Sequence, residues 1–101
     1  MSLNNPKPAK TWRYGIIPSR SFENADLLPE LFEGRIDLVG HIYTNGASAI
    51  VERFARDSGI PYTTYPITGG RSLPWAISRI VENSDAVYVI VPESAKLLFL
   101  E

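Results

Sequence analysis

A layered α/β fold with a mainly parallel sheet is what this sequence predicts, and three observations predict it. Four short runs of apolar, aromatic or β-branched residues alternate with three stretches of helical periodicity. The last run, Ala86, Val87, Tyr88, Val89, Ile90 and Val91, is continuously apolar, as expected of a strand covered on both faces. The resulting order, βαβαβαβ, joins strands through helical crossovers. Such strands pair in parallel and cross over right-handedly, which gives a Rossmann-like sheet of about four mainly parallel strands in two or three layers.

The first strand is expected over residues 12–17. The second, over 36–43, carries Ile, Leu and Val, with a Gly40 that suggests close packing; the third, over 62–67, is a Tyr/Thr/Ile run, and the fourth spans 86–91. Between the first two, residues 26–32 bring Leu27, Leu28, Leu31 and Phe32 together, and Pro29 limits them to a short helix. The clearest helix has Ala47, Ile50, Val51, Phe54 and Ala55 on one face and Glu52, Arg53 and Arg56 on the other. Gly59 closes it and Pro61 prevents its resumption. The third starts at Ser72 or Leu73, with Pro74 in its first turn, where a missing N–H costs little. Leu73, Ile77, Ile80 and Val81 are its expected buried face.

Composition sets the outer limits. The 101 residues suit a single domain, read as residues 12–101 behind a loose tail at 1–11, and 45% apolar residues suffice for a core. Ten basic and eleven acidic residues nearly cancel, without blocks of like charge, so extended nucleic acid is not an expected partner. No segment approaches the roughly 18 to 20 apolar residues of a membrane span, and residues 1–10 lack the apolar core of a signal peptide. The chain has no cysteine, which removes disulfides, thiol nucleophiles and zinc–thiolate sites and fits a reducing, cytoplasmic setting. One histidine without a carboxylate cluster gives no metal site, and no sequence feature implies a cofactor.

Ligands of open parallel sheets bind beyond the carboxyl ends of the strands. That rule selects residues 18–21, 44–48, 68–72 and 92–94. The first three contain hydroxyls, glycine and arginine but no carboxylate, which suits a phosphate or carboxylate at helix N-termini. The expected ligand-binding residues are Ser19, Arg20, Ser21, Asn45, Gly46, Ser48, Gly69, Gly70, Arg71 and Ser72. The arginines would grip oxygens and the glycines expose backbone N–H groups. The same residue types are what helix caps and tight turns require in any case, and no loop matches GxGxxG or the Walker pattern. No catalytic set stands out: His41 reads as a packed strand histidine on the face of Val39 and Tyr43, and Trp75 as a core or interface residue.

Several of these stretches resemble the YspA and cpYpsA-related SLOG family. Pro18, Ser19, Arg20, Ser21 and Phe22 are similar to its GSRxF-like turn. Gly46, Ala47 and Ser48 stand at its GGAxGAD-like turn, and AIVERFA (49–55) is similar to the following ALAERYA helix, up to Gly59, Ile60 and Pro61. The closing NSDAVYVI (83–90) resembles the family's last segment, and the similarity covers about 14–91. Pro18 replaces the family's first glycine, Ile42 and Tyr43 fill the place of paired glycines, and Ser48 replaces an acidic residue. The resemblance implies a Rossmann-like domain that binds a nucleotide or nucleotide-derived ligand, and some relatives act on such ligands enzymatically. The expected function is therefore a binding module for a phosphorylated small molecule. One alternative is a nucleoside- or nucleotide-processing hydrolase, with Glu23 and Glu93 the carboxylates near the strand ends. The other is a structural subunit with a vestigial pocket: residues 95–100 would form either a short covering helix or an exposed patch for a homodimer.

Overall fold

The computed structural model describes residues 11–32, 35–91 and 94–100. The tail expected at 1–11 lies, apart from Thr11, outside the described residues, as do Pro92 and Glu93.

Each element follows from local sequence. Strand β1 (Trp12–Pro18) ends at its proline. Helix α1 (Leu27–Phe32) tolerates Pro29 because the first-turn N–H groups have no intrahelical acceptor. Strand β2 (Val39–Thr44) is shorter than expected, because Ile36–Leu38 forms a single 3-10 turn. Helix α2 (Ala49–Asp57) starts two residues later than its periodicity suggested, since the Ser48 hydroxyl caps it by accepting from the Ile50 N–H at 3.2 Å. Gly59, at φ 72°, turns the chain out of α2 as expected. Strand β3 (Tyr62–Thr64) stops well short of Ile67; the Tyr65 N–H still reaches the Thr44 carbonyl at 2.8 Å, but Pro66 has no N–H to continue the ladder. Helix α3 (Leu73–Asn83) is capped by Ser72, which accepts from Trp75 N–H at 3.3 Å. Strand β4 (Ala86–Val91) lies where the apolar run put it.

The sheet has five strands in the order β3-β2-β1-β4-β5. Pairings β1–β2, β1–β4 and β2–β3 are parallel, as expected. The fifth strand corrects the expectation of four. Strand β5 (Ser94–Leu100) returns antiparallel along β4, so residues 95–100 form an edge strand rather than the short covering helix. Only two residues separate it from β4, and so short a connection returns a chain antiparallel. A register shift opposite Val87 and Tyr88 breaks its alternation, and Leu97 and Leu98 stay half-exposed.

The parallel crossovers place helices on both faces. One core cluster unites Ile16, Ile42 and Ile90 of the sheet with Leu28 and Phe32 of α1 and Val51 and Ala55 of α2. The other joins Ile17 and Val87 to Ile80 of α3. Gly15 lets α3 approach: a Cβ there would collide with Ile80 Cγ2 and lie 2.9 Å from Ser84 Oγ. Gly40 packs tightly as expected, against Thr11. A register shift beside it sends Val39 into the first cluster while Tyr43 packs on the second, so His41 does not share a face with Val39. Leu73 is also corrected: it is 44% exposed, and Ala76 and Ile80 are the buried residues of α3. Among the described residues no helix is long and apolar enough to cross a membrane.

Candidate functional site

Chain direction reverses its progress across the sheet at β1. Building runs outward through β2 to β3, then α3 carries the chain back to β4 on the other side of β1. At such a switch the loops leaving the carboxyl ends diverge and open a crevice. A cleft of about 520 Å³ lies at the carboxyl ends, on the β1–β2–β3 side of that switch, lined by Pro18, Ser19 and Arg20, by Asn45, Gly46 and Ala47, and by Pro66, Ile67, Thr68 and Leu73. Its volume is within the roughly 300–1,000 Å³ typical of small-molecule sites.

The loop after β1 is held at both ends. Ser19 N–H donates to the Ile90 carbonyl at 2.8 Å, and Phe22, 3% exposed, anchors the other end in the core while its N–H bonds the Ser19 carbonyl at 3.2 Å. Arg20 stands exposed at the apex of this braced turn, with no ion-pair partner among the described residues. The hydroxyls of Ser19 and Ser21 lie 3.3 Å apart.

The loop after β2 closes on itself. Asn45 is 5% exposed, and its Oδ1 accepts from Ala47 N–H at 3.0 Å, a turn that Asn favours. Gly46 has φ 74°, a conformation that other residues adopt only at a cost.

After β3, Gly69 and Gly70 both have positive φ, and the Arg71 N–H returns to the Thr68 carbonyl at 3.1 Å. Nothing lies within 4 Å of a Cβ built at either glycine, so they serve the turn rather than a close packing contact.

The expected site residues therefore divide. Ser19, Arg20, Asn45 and Gly46 are brought together on the cleft. Ser21, Ser48, Gly69, Gly70, Arg71 and Ser72 do not line it. Ser48 and Ser72 spend their hydroxyls on the caps of α2 and α3. Arg71 lies over the Trp75 ring, its guanidinium carbon 4.5 Å from the centroid, a cation–π contact. Glu23 does not line the cleft, and Glu93 is outside the described residues.

Sequence reasoning missed the apolar wall. Ile67 and Leu73 are two of the four exposed large hydrophobics among the described residues, at 38% and 44%, and both line this cleft. Their only sequence signal is that they bracket the Gly69–Gly70 turn; hydropathy assigned one to a strand and the other to a helix core. The lining thus offers a single cation, several hydroxyl and amide groups and an apolar surface. Among the described residues it contains no carboxylate, histidine, lysine or tyrosine.

Among protein-family models, curated proteins and solved structures, none matches this chain.

Proposed function

We propose that this protein is a SLOG-type binding module for a nucleotide or another nucleotide-derived, phosphorylated small molecule, held at the carboxyl ends of β1, β2 and β3. The observation that carries the reading is the composition of the cleft. Arg20, without an ion-pair partner among the described residues, stands on a turn braced on both sides and lines the same cleft as the exposed Ile67 and Leu73. A ligand with an anionic head and a less polar body satisfies both. Charge-assisted bonds from Arg20 and the Ser19 hydroxyl would hold phosphate oxygens, and burial of Ile67 and Leu73 against a sugar or base would add an apolar contribution. Among the described residues the lining holds no carboxylate or histidine, the usual proton-transfer groups, and this favours binding over turnover.

Thermal-shift titration against AMP, ADP and adenosine tests this. Binding to the folded state raises the midpoint with ligand concentration. The phosphorylated ligands are expected to stabilise and adenosine to do so much less. Arg20→Ala should weaken the phosphorylated ligands about tenfold or more, as for loss of a charged hydrogen bond, without lowering the unliganded midpoint. No stabilisation by either nucleotide would refute the reading.

A further inference from the structure

We propose that the opposite, amino-terminal end of the sheet carries a second binding site, for a small planar aromatic carboxylate. A cavity of about 220 Å³ lies there between the first face of the sheet and α1, clear of the nucleotide cleft and independent of it. Its back wall is a tilted row of rings. Trp12 and Tyr14 are neighbours on one face of β1, with centroids 6.4 Å apart and planes at 26°. Tyr88 of β4 continues the row, 6.1 Å from Tyr14 at 29°. Phe32 meets Tyr14 edge-on, at 5.0 Å and 68°. Arg35 and Leu38, from the segment that precedes β2, complete the lining.

Three features select the ligand. Aromatic rings on a concave surface favour a flat partner that can stack or approach edge-on. The volume is below the roughly 300 Å³ at which drug-sized pockets begin, so a ligand of one or two rings fits and a nucleotide does not. Arg35 supplies the charge preference. Its backbone is fixed on both sides, the N–H bonding the Phe32 carbonyl at 2.8 Å and the carbonyl accepting from Leu38 N–H at 3.0 Å. The guanidinium has no carboxylate partner among the described residues. A planar fork in the lining of a flat cavity matches a carboxylate in the plane of its own ring, which it can hold bidentately. Burial, and secondarily the neighbouring Tyr88, raise the pKa of the Tyr14 phenol, so it remains a neutral O–H that does not repel an anion.

The test uses the Trp75→Phe variant, in which Trp12 is the only tryptophan and reports on the cavity. Benzoate and its neutral counterpart benzamide are titrated by fluorescence, with amide shifts of Arg35 and Tyr88 followed by NMR. Benzoate should quench Trp12 saturably, and benzamide should bind about tenfold more weakly or worse, the scale of one charged hydrogen bond. Arg35→Gln should remove that difference without changing benzamide binding, and Leu38→Phe, which fills part of the cavity, should weaken both. Equal affinity for the two probes overturns the proposal, as does indifference to Arg35→Gln. So does absence of saturation, whether the cavity is then empty or filled by a second copy of the chain, which light scattering would reveal.

Discussion

The two faces of the sheet are built differently. On one, α1 and α2 cover the strands, and ten buried residues from sheet, helices and loops form a continuous core. On the other, α3 is the covering helix among the described residues, and the buried cluster is smaller, joining Ile17, Ile80 and Val87. The rest of that second face is occupied by wide side chains. Tyr43 stacks on His41 at 4.4 Å and lies parallel to Tyr65 at 6.4 Å, and Tyr65 meets Trp75 edge-on at 5.9 Å. Where the described residues supply no second helix, a row of aromatic rings lies over β2 and β3. The difference teaches that crossover number alone does not fix how a sheet face is covered. Three crossovers must divide between two faces, and the poorer face compensates with large, flat, half-buried residues.

The comparison is broken most directly from the richer face. Ile42 is fully buried under α2, and Ile42→Ala should destabilise by about 3 kcal/mol, within the 2–5 kcal/mol usual for such truncations. Urea denaturation measures it. A loss near zero would mean that the first cluster is not the principal core.

Gly15 tests the poorer face. An added methyl must displace Ile80, whose branched side chain is buried and stiff at χ1, and would also press Ser84 and Val87. Gly15→Ala should therefore cost about 1–3 kcal/mol, the range for overpacking, despite the smaller entropic gain from replacing glycine. If Gly15→Ala is neutral or stabilising, α3 is not held close to β1.

Much of this division was hidden in the sequence for physical reasons. Helix limits at Ser72 and Gly59 were legible because caps are local, whereas the start of α2 was not, since Ala47 continues its apolar periodicity past the Ser48 cap. Strand ends were less legible. Pro66 cut β3 short, and the register shift beside Gly40 reversed the orientation of Val39, a non-local effect of pairing with β1. Strand β5 was illegible because Leu97, Leu98, Phe99 and Leu100 lack alternation, and a bulge supplies the face change that the pattern does not show. In the candidate site, Ser19, Arg20, Asn45 and Gly46 could be anticipated from the strand ends alone. Arg71 reads in the sequence as a ligand residue but lies over Trp75, since nothing local decides between an anion and the ring.

A smaller effect is expected within the aromatic row. Tyr65 touches Tyr43 and Trp75, and its hydroxyl accepts from Asn83 Nδ2 at 3.2 Å. Tyr65→Leu keeps an apolar cover but removes both ring contacts and the bond, and should cost about 1–2 kcal/mol, the lower range for two half-buried aromatic pairs. A cost as large as that of Ile42→Ala would mean that the row carries the face rather than shielding it.

The smallest effect is a pH dependence from His41. Its ring is partly buried against Tyr43, and Nε2 lies 2.9 Å from Thr63 Oγ1. Burial lowers its pKa below the ordinary 6.5, because the charged ring loses hydration there. The folded state then binds fewer protons than the unfolded chain between the lowered pKa and 6.5, so stability rises with pH across that window. The contribution is complete above pH 6.5 and is lost as pH falls through the folded-state value. Wild type and His41→Gln, whose amide can still bond Thr63, should differ in denaturation midpoint by a constant amount above about pH 7. Below that the wild type should lose stability relative to the variant. A difference that stays flat down to pH 5, or changes with the opposite sign, would show that the open side of the aromatic row leaves His41 fully hydrated.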